Sequence, residues 1–193
     1  MRTRLQSLHR NQRGQIMIFG MLTILFVLVV GGLATDYAHL FLVDDELEKS
    51  MDAAALAGAG KLGFNDTVFP VARTFAQEFA ERNAYRAKGS IGEVALDNDG
   101  NAGDAWQSWD SRPNDPPYGE ITLGVWNPTN PPGVGAGLRF APSTDGTIVN
   151  AVMCRYKAQL PTTLFGVWGH RFFNVSATSI ATSNPPQTPP PDG

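Results

Sequence analysis

Residues 13–36, RGQIMIFGMLTILFVLVVGGLATD, decide the architecture of this chain. Eighteen residues from Ile16 to Leu33 carry no charge, and Arg13 and Asp36 bound them. As an α-helix the run covers about 27 Å, close to the roughly 30 Å hydrocarbon core of a bilayer. Twelve of the eighteen are Leu, Ile, Val or Phe. At about −0.3 to −0.6 kcal/mol each near a helix centre, they favour insertion by roughly 4 to 7 kcal/mol before corrections for the other residues. A core helix of this length would show a polar stripe, and this run has none. The sequence therefore predicts a transmembrane helix over 15–35, with Ile16, Leu22, Phe26, Val30 and Leu33 among the lipid-facing positions.

A cleaved signal peptide is the rival reading, because a basic leader precedes the run and Gly32-Leu33-Ala34 offers small residues for cleavage. The run is longer than the usual 7–15-residue signal core, and the helical period persists after it. Residues 1–14 hold Arg2, Arg4, Arg10 and Arg13 and no acid. Beyond the run come Asp36, Asp44, Asp45, Glu46, Glu48 and Asp52 against Lys49 alone. By the positive-inside rule the leader stays in the cytoplasm and the remainder lies outside, on the periplasmic side of a bacterial inner membrane.

From Asp36 to Gly60 the apolar residues fall at three- and four-residue steps, so the membrane helix continues outward. Tyr37, Leu40, Leu47, Met51, Ala54, Ala55 and Gly58 make a candidate interaction face, ending in small residues that admit another backbone closely. A second helix is expected from the capping candidates Asn65, Asp66 and Thr67, with Pro70 in its first turn and Gly89 at its end. Its expected apolar stripe is Val68, Val71, Ala72, Phe75, Phe79 and Ala80. The two helices form a hairpin over 36–89.

After Gly89 the chain turns to short strand-like runs at 91–96, 119–126, 147–157 and 172–182, joined by proline-rich connections. In the second run Ile121, Leu123 and Val125 alternate with Thr122, Gly124 and Trp126, which predicts one buried face. Residues 184–193, with five prolines and no apolar side chain to bury, read as an extended tail. The fold class expected is α+β: one amino-terminal transmembrane helix running into a helical hairpin, then a small, mostly antiparallel sheet domain over 90–183.

The composition narrows the chemistry. The chain has 193 residues, 17% charged, with a formal net charge of −3. Outside the leader there are eleven basic and eighteen acidic residues, a net of −7, which argues against nucleic acid as a partner. Cys154 has no second cysteine to pair with, and His9, His39 and His170 lack the spacing that sets two imidazoles on one helical face. Neither a metal site nor a cofactor is expected. The run Asp97-Asn98-Asp99-Gly100-Asn101 breaks the calcium-loop template, since the first and twelfth ligand positions fall on Ala95 and Trp106. Gly133-Val134-Gly135-Ala136-Gly137 sits among prolines and lacks the spacing of a dinucleotide fingerprint, so it reads as loop. No nucleophile elbow or phosphate-binding loop is present, and no catalytic residue is assigned.

The run Arg13-Gly14-Gln15, the apolar stretch, Asp36-Tyr37 and then Asp52-Ala53-Ala54-Ala55-Leu56-Ala57-Gly58-Ala59 resembles the amino-terminal motif of the TadG-like proteins of the Flp pilus, or tight adherence, assembly system. Gly124-Val125-Trp126-Asn127, Val149-Asn150-Ala151-Val152, Phe165-Gly166 and Val175-Ser176-Ala177-Thr178-Ser179-Ile180-Ala181 are similar, more loosely, to the family's carboxy-terminal region. The resemblance is to a short form, because the D-x-S-x-S run of a von Willebrand A-type metal site is missing. Pilin subunits of such systems carry Glu five residues after the cleavage-site glycine, and here that position holds Phe19. The resemblance implies a membrane-anchored structural or accessory component of pilus assembly, partnered by other assembly proteins, pilin-like subunits or further copies of itself. The competing function is a secreted or tethered carbohydrate-binding or adhesion module, for which Trp106, Trp109, Trp126 and Trp168 would supply stacking surfaces.

Overall fold

The computed structural model describes residues 2–62, 69–83, 96–97, 119–143, 149–162, 164–169 and 171–183, with the side chains of the first helix from Gly14 onward. In chain order the elements are α1 (Arg2–Ala59), α2 (Phe69–Asn83), β1 (Leu96–Asp97), β2 (Gly119–Trp126), β3 (Phe140–Pro142), β4 (Ala151–Pro161), a 3-10 turn (Phe165–Trp168) and β5 (Phe172–Thr182). This is the α+β arrangement expected. The chain divides into two compact units, residues 1–40 with 161–173, and residues 41–160 with 174–193.

In the first unit α1 carries the apolar run. From Gly14 to Gly31 every residue is exposed except Val29, which is half-covered. The threonine hydroxyls on this stretch and just beyond it have local partners. The Thr23 hydroxyl donates to the Phe19 carbonyl at 2.9 Å, and the Thr35 hydroxyl donates to the Gly31 carbonyl at 2.9 Å. Each hydroxyl is satisfied one turn back within its own helix, as an apolar solvent requires.

In the second unit the outer part of α1 packs by one face. Val43, Leu47, Ser50, Met51, Ala54, Ala55, Gly58 and Ala59 are buried, while Phe41 and Leu56 are exposed. Complete burial of a Leu or Met side chain contributes roughly 1.5 to 3 kcal/mol, so Leu47 and Met51 dominate this seam. The buried stripe of α2 is Ala72, Ala76 and Ala80, one residue per turn. Phe75 and Phe79, expected to lead that stripe, are half-buried, and Val71 is exposed. Close approach is the reason. A Cβ on Gly58 would stand 3.1 Å from the Ala76 Cβ, 3.1 Å from Val152 Cγ1 and 3.2 Å from the Ala72 carbonyl oxygen. A phenylalanine on that line would force the backbones apart. The Ser50 hydroxyl donates to the Ala80 carbonyl at 2.9 Å across the same seam. The expected caps at 65–67, Val68 and the stop at Gly89 lie outside the described residues.

The sheet runs in the order β1-β2-β4-β5, with β3 also pairing β2. β2 and β4 are antiparallel from Gly119 opposite Tyr156 to Gly124 opposite Ala151, and β3 is antiparallel to the other end of β2. β1 is parallel to β2. The expected strands 119–126 and 172–182 coincide with β2 and β5. The expected strand 147–157 lies at 151–161, ending on Pro161, which has no N–H for a ladder. Of the expected strand 91–96, only Leu96 falls among the described residues. Ahead of β4, the Asn150 side chain does the work of a ladder rung. Its Oδ1 accepts from the Trp126 N–H at 2.6 Å and its Nδ2 donates to the Trp126 carbonyl at 3.2 Å.

β2 is buried on both faces from Gly119 to Gly124, where simple alternation predicted one. Residues opposite one another in an antiparallel pair share a face. Ile121, Leu123, Val152, Cys154 and Tyr156 therefore lie on one side, and Glu120, Thr122, Met153 and Arg155 on the other. α2 packs against β2, and Gly58 of α1 meets Val152 on the apolar side. Phe140, Ala151 and Met153 form a cluster on which Trp126 and Ile180 pack. The glycine run 133–137 is loop, as expected. Gly133, Gly135 and Gly137 all take positive φ, the conformation in which a side chain is strained.

Candidate functional site

Four of the five residues named for the membrane span lie on the uncovered part of α1. Ile16, Leu22, Phe26 and Val30 are exposed and Leu33 is half-buried. α1 is long and apolar enough to cross a membrane. Phe26 keeps 69% of its surface, an arrangement that water penalises along the whole run.

The candidate interaction face divides. Leu47, Met51, Ala54, Ala55 and Gly58 are buried within the second unit, against the chain's own α2 and sheet, as the contacts of Gly58 and Ser50 show. Tyr37 and Leu40 belong to the first unit. Tyr37 is exposed on one side and Leu40 is half-buried.

Beside Tyr37 the first unit contains a site that the sequence did not reveal. Asp36 is 8% exposed. Its Oδ2 accepts the backbone N–H of Leu164 at 2.8 Å and of Phe165 at 3.2 Å. These donors open the 3-10 turn, and N–H groups at the start of a helical turn have no partner inside it. The carboxylate supplies the acceptor and favours that end of the turn electrostatically. In the same unit Tyr37, Phe165 and Phe173 pack on one another: the Tyr37 and Phe165 rings meet edge-on at 5.6 Å, and the Phe165 and Phe173 rings at 5.0 Å. Leu164 lies over Gly32, where a Cβ would overlap its Cδ1. The Thr162 N–H donates to the Arg171 carbonyl at 3.0 Å, joining the two arms of the segment. The signal available in the sequence was half of this site: an acid at the rim of an apolar run needs donors. The donors stand 128 residues away in the chain.

In the second unit a buried polar cluster also escaped notice. Glu120 is 1% exposed and accepts from the Thr122 hydroxyl at 2.6 Å and from the Arg155 guanidinium at 2.7 Å. A buried carboxylate with two side-chain donors on it suits a structural role. Lys157 on the same strand has its pKa lowered, by burial first and then by the Arg155 charge. Cys154 is buried, and burial pushes its thiol far above the ordinary range, away from nucleophilic use. Trp126 packs on Phe140, Ala151 and Met153, filling core. Among the described residues no three His, Cys, Asp or Glu side chains come together to hold a metal ion. Trp106 and Trp109 lie outside the described residues, as do residues 98–101 of the acidic run.

Together these features define a class: a small α+β body on a chain whose one long helix carries an uncovered, charge-free stretch of membrane length. The model of the Flp pilus-assembly TadE/G-like family matches residues 14–61, and that of the Tad-like Flp pilus-assembly family matches residues 57–181. The chain belongs to the Tad-like Flp pilus-assembly family. The two matches meet at 57–61, within the small-residue run that includes Gly58. No curated protein and no solved structure matches. Membership supports a role in pilus assembly, a structural or accessory one, among other pilus components.

Proposed function

We propose that this protein is a single-pass, membrane-anchored accessory component of Flp pilus assembly that acts through protein–protein contacts and performs no catalysis. The observation that carries this reading is the uncovered run Ile16–Leu33 on α1 in a chain of the Tad-like family. Seventeen of the eighteen residues from Gly14 to Gly31 are exposed, and without a bilayer they would present a mostly apolar surface to water. The basic leader holds the amino terminus in the cytoplasm, and the body after Asp36 lies in the periplasm of a bacterium. The domains expected from the sequence carry over to this reading: leader 1–14, span 15–35, helical hairpin 36–89, sheet domain 90–183 and tail 184–193. The face Leu47, Met51, Ala54, Ala55 and Gly58 serves the protein's own hairpin. Contacts with other assembly proteins, pilin-like subunits or a second copy fall to surface outside that seam.

Two measurements test the reading. The full chain is expected in the membrane fraction after carbonate extraction, with a phosphatase fusion active when joined after Thr182 and inactive when joined at Gly14. Release by carbonate, or the reverse fusion pattern, overturns the anchor or its orientation. Deletion of the coding sequence is expected to abolish surface pili, restored by the full chain supplied in trans. Normal piliation in the deletion strain overturns the role in assembly.

A further inference from the structure

We propose that the segment between β4 and β5 is a second membrane contact, in which Leu164, Phe165, Phe172 and Phe173 enter the outer lipid headgroup layer and Asp36 clasps them there. The inference rests on reading α1 as the membrane span, and it concerns a part of the chain 128 residues further along.

The depth follows from α1 itself. Leu164 lies over Gly32, which is inside the charge-free run that ends at Leu33. Asp36 stands three residues beyond Leu33, about 4.5 Å along the helix axis. The headgroup layer on each side of the hydrocarbon core is about 5 to 7 Å thick. The carboxylate that accepts the Leu164 and Phe165 N–H groups is therefore within that layer, and so are those two N–H groups.

The chemistry of the segment suits that depth. Backbone donors near hydrocarbon need acceptors from the protein, because water is scarce there. Asp36 supplies one for the two N–H groups at the start of the 3-10 turn, Gly166 accepts from Gly169 at its end, and Arg171 accepts from Thr162 between the arms. Leu164, Phe165, Phe172 and Phe173 are apolar side chains of this segment, with Thr162 and Arg171 as polar neighbours. Phe165 and Phe173 pack edge-on, and Phe172 leaves 55% of its surface outside the cluster. Aromatic side chains concentrate at the boundary between lipid and water. The lipid occupant follows from continuity: the uncovered face of α1 below Gly32 and the cluster above it form one apolar surface within the same unit.

Spin-label depth measurement on the full chain tests this. Single labels are placed at Phe172→Cys, Val30→Cys and Asp52→Cys in vesicles of phosphatidylethanolamine and phosphatidylglycerol, with the parent chain as the background for buried Cys154. Collision with oxygen reports lipid, and collision with a water-soluble nickel chelate reports water. Val30 is expected to favour oxygen, Asp52 to favour nickel, and Phe172 to lie on the oxygen side of Asp52. Phe172 matching Asp52 while Val30 favours oxygen overturns the second contact and leaves the span intact. Val30 favouring nickel overturns the span and the contact together. Phe172 shielded from both reagents means a protein covers it, a second copy in this purified system, and also overturns the proposal. Asp36→Ala is expected to shift Phe172 toward nickel. An unchanged depth at Phe172 in Asp36→Ala removes the clasp.

Discussion

The two apolar stretches of α1 belong to one helix and are built on different rules. Residues 16–33 are large and apolar all the way round, and none of them is buried by the chain. Residues 43–58 are apolar on one face, rich in alanine, and that face is covered by α2 and the sheet. The difference teaches how a helix signals its surroundings. An all-round apolar surface calls for a solvent that is apolar on every side, whereas a one-sided stripe of small residues calls for a protein surface at close range.

That contrast is open to direct attack, most severely by matched truncations. Leu47→Ala is expected to destabilise the folded body by about 2 to 5 kcal/mol, because it empties a fully buried site. Leu25→Ala on the uncovered stretch is expected to leave the same denaturation midpoint, measured by near-ultraviolet circular dichroism of the full chain in micelles. Equal effects would break the contrast. Val27→Arg makes the reciprocal test, at a cost to insertion of about 2.5 to 3.5 kcal/mol near the helix centre. Its signature is a smaller carbonate-resistant fraction, and an unchanged fraction would mean that the stretch does not face lipid.

Gly58→Val asks whether closeness matters at the seam. With neighbours already at 3.1 to 3.2 Å from a single added carbon, overpacking is expected to cost about 1 to 3 kcal/mol, read as a lower denaturation midpoint. A smaller loss, about 0.5 to 1.5 kcal/mol, is expected for Ser50→Ala, which removes the buried bond to the Ala80 carbonyl. The smallest effect belongs to Lys49→Ala. The exposed Lys49 bonds to Asp45 at 2.6 Å, and that bond raises its pKa above 10.5. A raised lysine pKa favours the folded state below the ordinary value and ceases to do so as pH climbs past it, but water screens this pair. No change in midpoint is expected at neutral pH, and a clear loss would show that the outer helix depends on its charged face as well.

The sequence made the same two stretches visible to different extents. The long apolar run was legible because it is apolar all the way round, so no knowledge of a partner was needed. The strands 119–126 and 172–182 were legible from β-branched and aromatic residues between turn formers. The buried side of α2 was not. Phe75 and Phe79 have more apolar surface than Ala72, Ala76 and Ala80, yet Gly58 brings the backbones so near that only the alanines fit the line of contact. The double burial of β2 was hidden because Glu120 and Thr122 look like solvent-facing positions until Arg155, from another strand, comes to meet them. The Asp36 clasp required two segments 128 residues apart, and hydrophobic periodicity says nothing about which distant backbone will bring its N–H groups to an acid.

The side-chain amide of Asn150 bears on register. A slip of one residue between β2 and β4 would turn every inward side chain outward, and the hydrophobic pattern alone opposes it. A slip of two residues keeps the faces and passes that test. It would, however, carry Asn150 away from the N–H and carbonyl of Trp126, both of which its amide now engages, and break the bond from the Asn150 N–H to the Gly124 carbonyl at 3.1 Å. One asparagine thus distinguishes the native alignment from the nearest alternative that hydrophobicity tolerates, acting as a stop that the two strands reach only when Gly124 stands opposite Ala151.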